Sequence, residues 1–480
     1  MNSYEGRYVV QWDGDNDPMD PHSKSWASHW RKWTIVIIVA SSAFCVTCAS
    51  AIYTVATEQI QREFRCSQEL VTLGLTVFVI GLGCGPMLLS PLSELYGRRH
   101  VYLVSYALFT IWLIPCALAR NIETMLVSRF LSGLTGSAFL SVAGGTIADM
   151  FNKEELGAPM MLFTLAPFSG PATGPVWGGV VVSFVNWRWI FYVMIIWSAI
   201  QWCALYFLVP ETYTPVLLRR KAIAVRQATG DVGYSSIYDG PPVSVAKAIL
   251  RNCSRPFNLL YHEMICLSLC ILSALLLGVL YLFFGAFPII FGTNYRFNTW
   301  NSGLAFLGIF IGMCIGASCD GLWKRLYMRL SNSHSGRGEP EFRLPSTMIG
   351  SLIATVALFG FAWTTQPSIH WIVPIVFSGM FGLGILLCYS GIFTFLVECY
   401  PTYAASAMAA NAFTRAIFAA TFPLFGTQMY HGLGLQWASS LLAFLVLAMC
   451  PFPWLIFYCG KRIRLRSKLS LDGQSGPCLR

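Results

Sequence analysis

Charge is what this chain has least of, and the places from which it is missing are informative. Of 480 residues, 11% are charged and 55% are hydrophobic, whereas a soluble domain carries about 25% charged residues. One water-soluble core cannot hide that much apolar surface, so the chain is a multi-span membrane protein and not a soluble enzyme. A Walker-type loop is absent, which removes ATP hydrolysis as an energy source. His22, His29, His262 and His431 stand alone, and the 16 Cys show no ligand spacing such as a CxxC pair backed by His, so neither a metal site nor a disulfide framework is expected. Cys45, Cys48, Cys84, Cys203 and Cys270 read as small membrane hydrophobes. There is no repeated selectivity-filter segment and no soluble signalling domain, which argues against a channel or receptor. The net charge of +10 would suit nucleic acid, but no compact basic domain accompanies it.

What is present is a series of uncharged runs. Val71 to Ser93 has no ionised side chain and, at 1.5 Å per residue, crosses a hydrocarbon core of about 30 Å. Glu94, Arg98 and Arg99 follow at once, with Pro91 and Gly97 shaping the exit, while Gly81 and Gly85 admit a close neighbour. Twelve such helices are predicted, near 33–55, 71–93, 101–119, 124–148, 157–182, 189–209, 264–289, 299–319, 345–364, 371–396, 404–428 and 437–458. Turn residues in TTQPSIH and YHGLGLQ justify the two least obvious divisions.

Lys and Arg fix the orientation. With both termini inside, cytoplasmic segments hold 25 of them and external turns five, namely Arg62, Arg65, Arg120, Arg188 and Arg296; Arg129 and Arg415 fall inside helices. The expected organisation is an all-α membrane protein in two six-helix bundles. Residues 1–32 form a cytoplasmic, disordered tail ending at the interface, 33–209 the first bundle, 210–261 a cytoplasmic linker, 262–458 the second bundle and 459–480 a basic cytoplasmic tail. The half-and-half layout is that of an alternating-access carrier. Repetition between the halves is visible in layout and not in residue identity. The Asn-Cys-Ser sequon at Asn252 lies on the cytoplasmic side, which argues against glycosylation.

Three constellations carry more than hydropathy. The first is the charged turn holding Glu94, Arg98 and Arg99, with Asp149 within reach from the end of the fourth span. The second is Arg129, placed inside that span, where an ionised group needs a buried acceptor, a polar cavity or an escape to the interface. The third is GPATGPVWGG, in which Gly170, Gly174 and Gly178 share one helix face, with Pro171 and Pro175 between them and Gly179 alongside. That pattern fits either static tight packing or a bent contact that slides. On the sliding reading, Gly174→Val and Gly178→Val would spare insertion and stop transport. No span carries an obvious acidic residue at its centre.

SPLSELYGRR at 90–99, RFLSG at 129–133, GPATGPVWGG at 170–179 and PETYTPVLLRRKA at 210–222 resemble signature stretches of the major facilitator superfamily, in particular the fungal drug:proton antiporters with twelve spans. EFRLP at 341–345, ECYPTYAASAMAANAFTRAIFAATFPLFGTQMY at 398–430 and LGLQWASSLLAF at 433–444 resemble its polyamine and multidrug resistance branch. Glu94 stands where the family's loop signature usually has Asp, and Ser90 where it has Gly. The resemblance implies proton-coupled efflux with no cofactor beyond the proton gradient. It makes Glu94, Arg98 and Asp149, with Arg99, a cytoplasmic latch between the bundles, and Arg129 the embedded basic residue linked to proton movement. A functional monomer in the plasma membrane is implied, with a vacuolar or vesicular membrane as the alternative.

A substrate cavity of such a carrier would be lined by Phe78, Phe163, Tyr281, Phe284, Tyr389, Asn411 and Phe413. Aromatic walls accept varied apolar or cationic compounds, so the expected cargo is an amphiphilic drug, toxin or secondary metabolite. A polyamine exporter and an uptake carrier of the same fold are the alternatives.

Overall fold

The structure is a computed structural model that describes residues 3–4, 7–13, 17–23, 26–152, 155–231, 233–238, 245–333 and 339–465. Most of the basic tail, from 466 onward, lies outside the described residues, as do Asp15 and Lys153.

All twelve expected rods are present as helices. Spans 1 to 6 are His29–Ile52, Gln68–Tyr96, Arg98–Ala117, Ile122–Ala148, Gly157–Phe184 and Arg188–Leu208. Spans 7 to 12 are Met264–Tyr295, Thr299–Ser333, Pro345–Thr364, Ile372–Cys399, Ala404–Leu433 and Leu435–Arg464. Ten are long and apolar enough to cross a membrane by length and composition. The other two, spans 5 and 11, have 28 and 30 residues but are diluted by Pro, Gly, Ala, Ser and Thr. Both pack against a span of the opposite half, and a helix surrounded by protein needs less apolar side chain than one surrounded by lipid. The expected division at YHGLGLQ falls at Gly434, where φ is +79°, a left-handed conformation natural to Gly.

The two halves repeat one packing scheme. Span 1 packs on span 5, 2 on 4 and 3 on 6; span 7 packs on 11, 8 on 10 and 9 on 12. Glycine makes the same contact in both halves: a Cβ on Gly133 would come 2.1 Å from the Phe78 carbonyl oxygen across spans 4 and 2, and one on Gly312 would come 1.8 Å from that of Gly379 across spans 8 and 10. The repetition absent from the residue identities is therefore present in the backbone approaches. Between halves, span 2 meets span 11 and span 5 meets span 8.

The N-terminal segment, the linker and the end of span 12 depart from expectation. The N-terminal tail, read from its composition as disordered, pairs with the linker: Arg7–Val10 runs antiparallel to Ser3–Tyr4 and parallel to Tyr234–Ser236. Asp17 is buried and accepts from Lys221 Nζ at 2.5 Å, and Asp13 accepts from the same ammonium at 2.7 Å. Two acidic residues of the tail, Asp13 and Asp17, are thus the counter-ions of a buried linker lysine, which holds the segment in place. The linker itself carries two helices, Thr214–Thr229 and Val245–His262. The start of the expected basic tail belongs to span 12, where Arg464 is buried and pairs with Glu341 at 2.8 Å. The cysteines among the described residues are free.

Candidate functional site

The turn between spans 2 and 3 is built around a carboxylate that sequence reasoning left without a role. Gly97 ends span 2 with φ +94°, and a Cβ there would sit 2.3 Å from Glu211 Oε2. Into that gap Glu211, just beyond span 6, inserts its buried carboxylate. Oε1 accepts from the N–H groups of Arg98 (2.9 Å), Thr212 (3.1 Å) and Tyr213 (3.0 Å), and Oε2 accepts from that of Arg99 (3.2 Å). These include the first orphan N–H groups of span 3, so the carboxylate caps that helix and meets its positive end. Arg98 is free to turn its guanidinium elsewhere: Nη1 donates to Ser93 Oγ at 2.8 Å, Nε lies 3.4 Å from Asp149 Oδ2, and the group stacks 4.5 Å from the Tyr213 ring centroid.

Arg98 and Asp149 therefore meet as expected, and Glu94 does not join them. Glu94 is exposed and makes no ion pair among the described residues; helix phase points it away from span 4, and Glu211 takes the acidic place in the turn. Arg99 donates to the Tyr206 carbonyl at 2.9 Å. Every group in this cluster belongs to the first half, so it braces spans 2, 3, 4 and 6 and does not bridge the bundles. Burial pushes the Asp149 carboxyl up from its ordinary value, against the pull of Arg98. The second half has its own counterpart, Arg343 Nη2 at 2.7 Å from Glu398 at the end of span 10. A signal for Glu211 was available in PETYTP, an acidic residue placed directly after a span.

The seat of Glu211 makes a sharp expectation. Glu211→Gln turns one acceptor into a donor facing backbone N–H groups, and should lower stability by about 1–3 kcal/mol. Gly97→Ala should do the same by closing the seat from the other side. Thermal unfolding in detergent reads both, and unchanged unfolding in both variants would remove the cap from the account.

Arg129 is fully buried. It does not snorkel, and it has no carboxylate partner among the described residues. Nε donates to the Gly74 carbonyl at 3.3 Å, Nη1 to Ala49 at 2.7 Å and Nη2 to Ser50 at 3.2 Å, with the Tyr53 and Phe78 rings 4.6 and 4.4 Å from the guanidinium carbon. Span 1 tightens to a 3₁₀ turn at Tyr53–Ala56, so the carbonyls of Ala49 and Ser50, whose α-helical donors would be Tyr53 and Thr54, turn to Arg129. One planar fork thereby ties spans 1, 2 and 4 together.

One hydrogen bond leads from there across the interface, to a separate polar group in the second half. Ser50 Oγ lies 3.0 Å from the Tyr281 hydroxyl of span 7, and Tyr389 of span 10 donates to the Ser273 carbonyl at 3.0 Å. Asn411 accepts from Ser273 Oγ at 3.3 Å. Of the seven expected cavity residues, Tyr281, Tyr389 and Asn411 converge at mid-depth. Phe284 packs on Tyr281 and lines a small cavity between the halves with Tyr53, Leu75 and Pro423. The other three lie elsewhere, since helix rotation cannot be read from composition: Phe78 lies under Arg129 inside the first bundle, Phe413 meets Phe257 of the linker, and Phe163 lies near Gly144 of span 4. Phe168, stacked 4.3 Å from Tyr389 across the halves, is the aromatic that the sequence did not single out.

The glycine-proline stretch divides between two faces. A Cβ on Gly170 would come 2.1 Å from Thr47 Oγ1, one on Gly174 2.8 Å from Ala51 Cβ, and one on Gly178 2.9 Å from the Ile52 carbonyl. All three contacts are with span 1 of the same bundle, so the aligned glycines serve static packing. Pro175 and Gly179 face the other half: Pro175 O is 2.5 Å from a Cβ on Gly303, and Thr299 O is 3.2 Å from one on Gly179. The helix runs unbroken from Gly157 to Phe184 through its three prolines.

A model of the Major Facilitator Superfamily matches residues 39–423. The chain belongs to that family. It is 48% identical over 470 residues to the efflux pump atB of Aspergillus terreus, covering 97% of this chain and 90% of the relative. It is 41% identical to the efflux pump FUB11 of Gibberella moniliformis (95% and 77% covered) and 38% identical to the probable drug/proton antiporter YHK8 of Saccharomyces cerevisiae (92% and 86%). Among solved structures, the human organic anion transporter MFSD10 shares the fold with a TM-score of 0.60 at 15% identity, over 88% of this chain and 99% of that one. Members of this superfamily are carriers and not enzymes.

Proposed function

We propose that this major facilitator exports amphiphilic small molecules, drugs, toxins or secondary metabolites, across the plasma membrane in exchange for protons, as a monomer. The observation that carries the reading is where the halves touch. Thr76 of span 2 donates to the Ala420 carbonyl of span 11 at 2.8 Å, Gln428 to Glu69 at 3.2 Å, and Gly303 of span 8 lies against Pro175 of span 5. These contacts lie in the external halves of the spans. On the cytoplasmic side helix Val245–His262 packs against both span 2 and span 11, with Phe257 on Phe413 at 5.2 Å between ring centroids. The halves also meet deeper in the spans, where Phe168 stacks on Tyr389, and the linker helix bridges spans 2 and 11; an alternating-access exporter would release that inner bridge to load from the cytoplasm while the external contacts hold. The names of the relatives, efflux pumps and a drug/proton antiporter, support the same direction.

Asp149 is the group assigned to the proton at the cytoplasmic end. Its raised pKa means that it holds a proton to higher pH than an ordinary Asp, releases it as pH climbs through that value, and pairs with Arg98 only once ionised. Polyamines would need several convergent carboxylates, which the described residues do not bring to the interface. In vesicles reconstituted with the protein, a proton gradient should drive a fluorescent amphiphile in the export direction, and an uncoupler should abolish the flux without altering the amount of protein. Flux that survives the uncoupler would refute antiport, and flux in the opposite direction would make the protein an uptake carrier.

A further inference from the structure

Two arginines lie inside spans, and they are provided for in opposite ways. Arg129 spends its guanidinium on three carbonyls. Arg415, in the middle third of span 11, has no carboxylate partner among the described residues, and its buried Nε has no hydrogen-bond partner among them either. The polar groups around it are already engaged: the Tyr389 hydroxyl donates to Ser273, the Tyr281 hydroxyl is paired with Ser50, and Asn411 bonds Ser273 and Cys270. What Arg415 does have is rings. Its guanidinium carbon is 5.2 Å from the Phe168 centroid, 5.3 Å from Tyr389 and 4.9 Å from Phe393. Phe168 comes from span 5 of one half and the other two from span 10 of the other, so the cation sits at the seam through which cargo must pass.

Ring faces soften the desolvation of a guanidinium but do not satisfy its directed donors, and a buried cation with open donors favours an anion. The same geometry reverses the substrate expectation drawn from aromatic walls. The faces that would attract a cationic compound are occupied by the protein's own cation, and a second cation there meets a like charge. We propose that Arg415 is the docking point for an acidic headgroup, and that the exporter carries amphiphilic organic anions, carboxylates above all, with the apolar body lying along Phe168 and Phe393. This rests on the export reading for direction, and on Arg415 alone for charge.

The test uses the purified full chain and three probes of one shape, naphthylacetate, naphthylacetamide and naphthylethylammonium, at a pH where the first is ionised and the last protonated. Direct binding to the native protein should favour the carboxylate over the amide by at least about tenfold, with the ammonium weakest, in line with a charge-assisted hydrogen bond worth roughly twice a neutral one. Arg415→Gln should bring the carboxylate down to the affinity of the amide. Arg415→Lys, which keeps the charge and loses the fork, should retain part of the preference; it decides the matter if the Gln variant fails to fold by size-exclusion and thermal unfolding. Ammonium binding at least as tight as carboxylate, failure of the native protein to bind the carboxylate, or a preference that survives Arg415→Gln would each overturn the assignment. Vesicle flux separates the two readings. Carboxylate that binds but is not moved outward leaves the anion site standing and defeats export, whereas export of the ammonium ahead of the carboxylate defeats the anion site and leaves export intact.

Discussion

Gly303→Val should leave a folded protein that no longer exports and that stands open to the outside. A Cβ at Gly303 would lie 2.5 Å from Pro175 O and 3.2 Å from Pro175 C, backbone atoms of the opposite half that no rotamer change can move. Overpacking of this kind costs about 1–3 kcal/mol. That cost applies only while the external ends are together, because it vanishes when spans 5 and 8 part. A coupling of that size shifts a two-state equilibrium about 5–150-fold, so the externally closed state becomes the minor one. The measurement is labelling of a cysteine placed at Thr76, in the contact of spans 2 and 11, by a charged thiol reagent applied from outside, read against the same chain without that cysteine. Labelling should rise as export falls. Gly170→Val is the control, since its clash with Thr47 Oγ1 (2.1 Å) and Cys48 N (2.8 Å) lies within one bundle and persists in every state. It should reduce the amount of folded protein and have no effect on sidedness. Gly303→Val protein that exports normally, or that misfolds as Gly170→Val does, would show that the contact of spans 5 and 8 is not a gate.

Substitution of Arg129 should have the largest effect on transport for the smallest change in surface. Arg129→Lys keeps the charge but cannot reach carbonyls on spans 1 and 2 with one ammonium. Arg129→Gln removes the charge and the planar fork that serves the Ala49 and Ser50 carbonyls at the 3₁₀ turn, at about 1–3 kcal/mol for each carbonyl left open. Loss of the fork also frees Ser50, whose Oγ is the link to Tyr281 in the other half. We expect at least about a tenfold fall in flux for Lys, which corresponds to about 1.4 kcal/mol at the rate-limiting step, and loss of flux for Gln, with both proteins still inserted. Gradient-driven flux per inserted molecule is the readout. Full flux in Arg129→Lys would mean that charge alone matters, and full flux in Arg129→Gln would make the residue a packing element.

How far each feature could be read in advance depended on whether its cause was local. The twelve rods follow from run length and turn residues, because membrane thickness acts on each segment by itself. Arg98 and Asp149 were legible as partners because both sit at the cytoplasmic ends of neighbouring spans. Glu94 was misplaced and Glu211 overlooked for one reason: the choice between two carboxylates is made by helix phase and by the left-handed turn at Gly97, which sets backbone N–H groups toward span 6. Part of the expected cavity lining failed in the same way, since Phe78 is aromatic and correctly spaced but rotated into its own bundle under Arg129.

The amino-acid sequence by itself determined that this protein is a membrane carrier in two halves, with two cations inside its spans and no acidic residue at their centres. Tertiary structure alone decided what those cations touch, which glycines pack within a bundle and which between bundles, and that the acidic tail is a clasp on Lys221. The division has a physical cause. Partition into the bilayer is a sum over residues along one helix, whereas pairing, close approach and desolvation depend on which faces of separate helices are turned toward each other, and a rotation of one helix by half a turn changes every such contact while leaving the sum untouched.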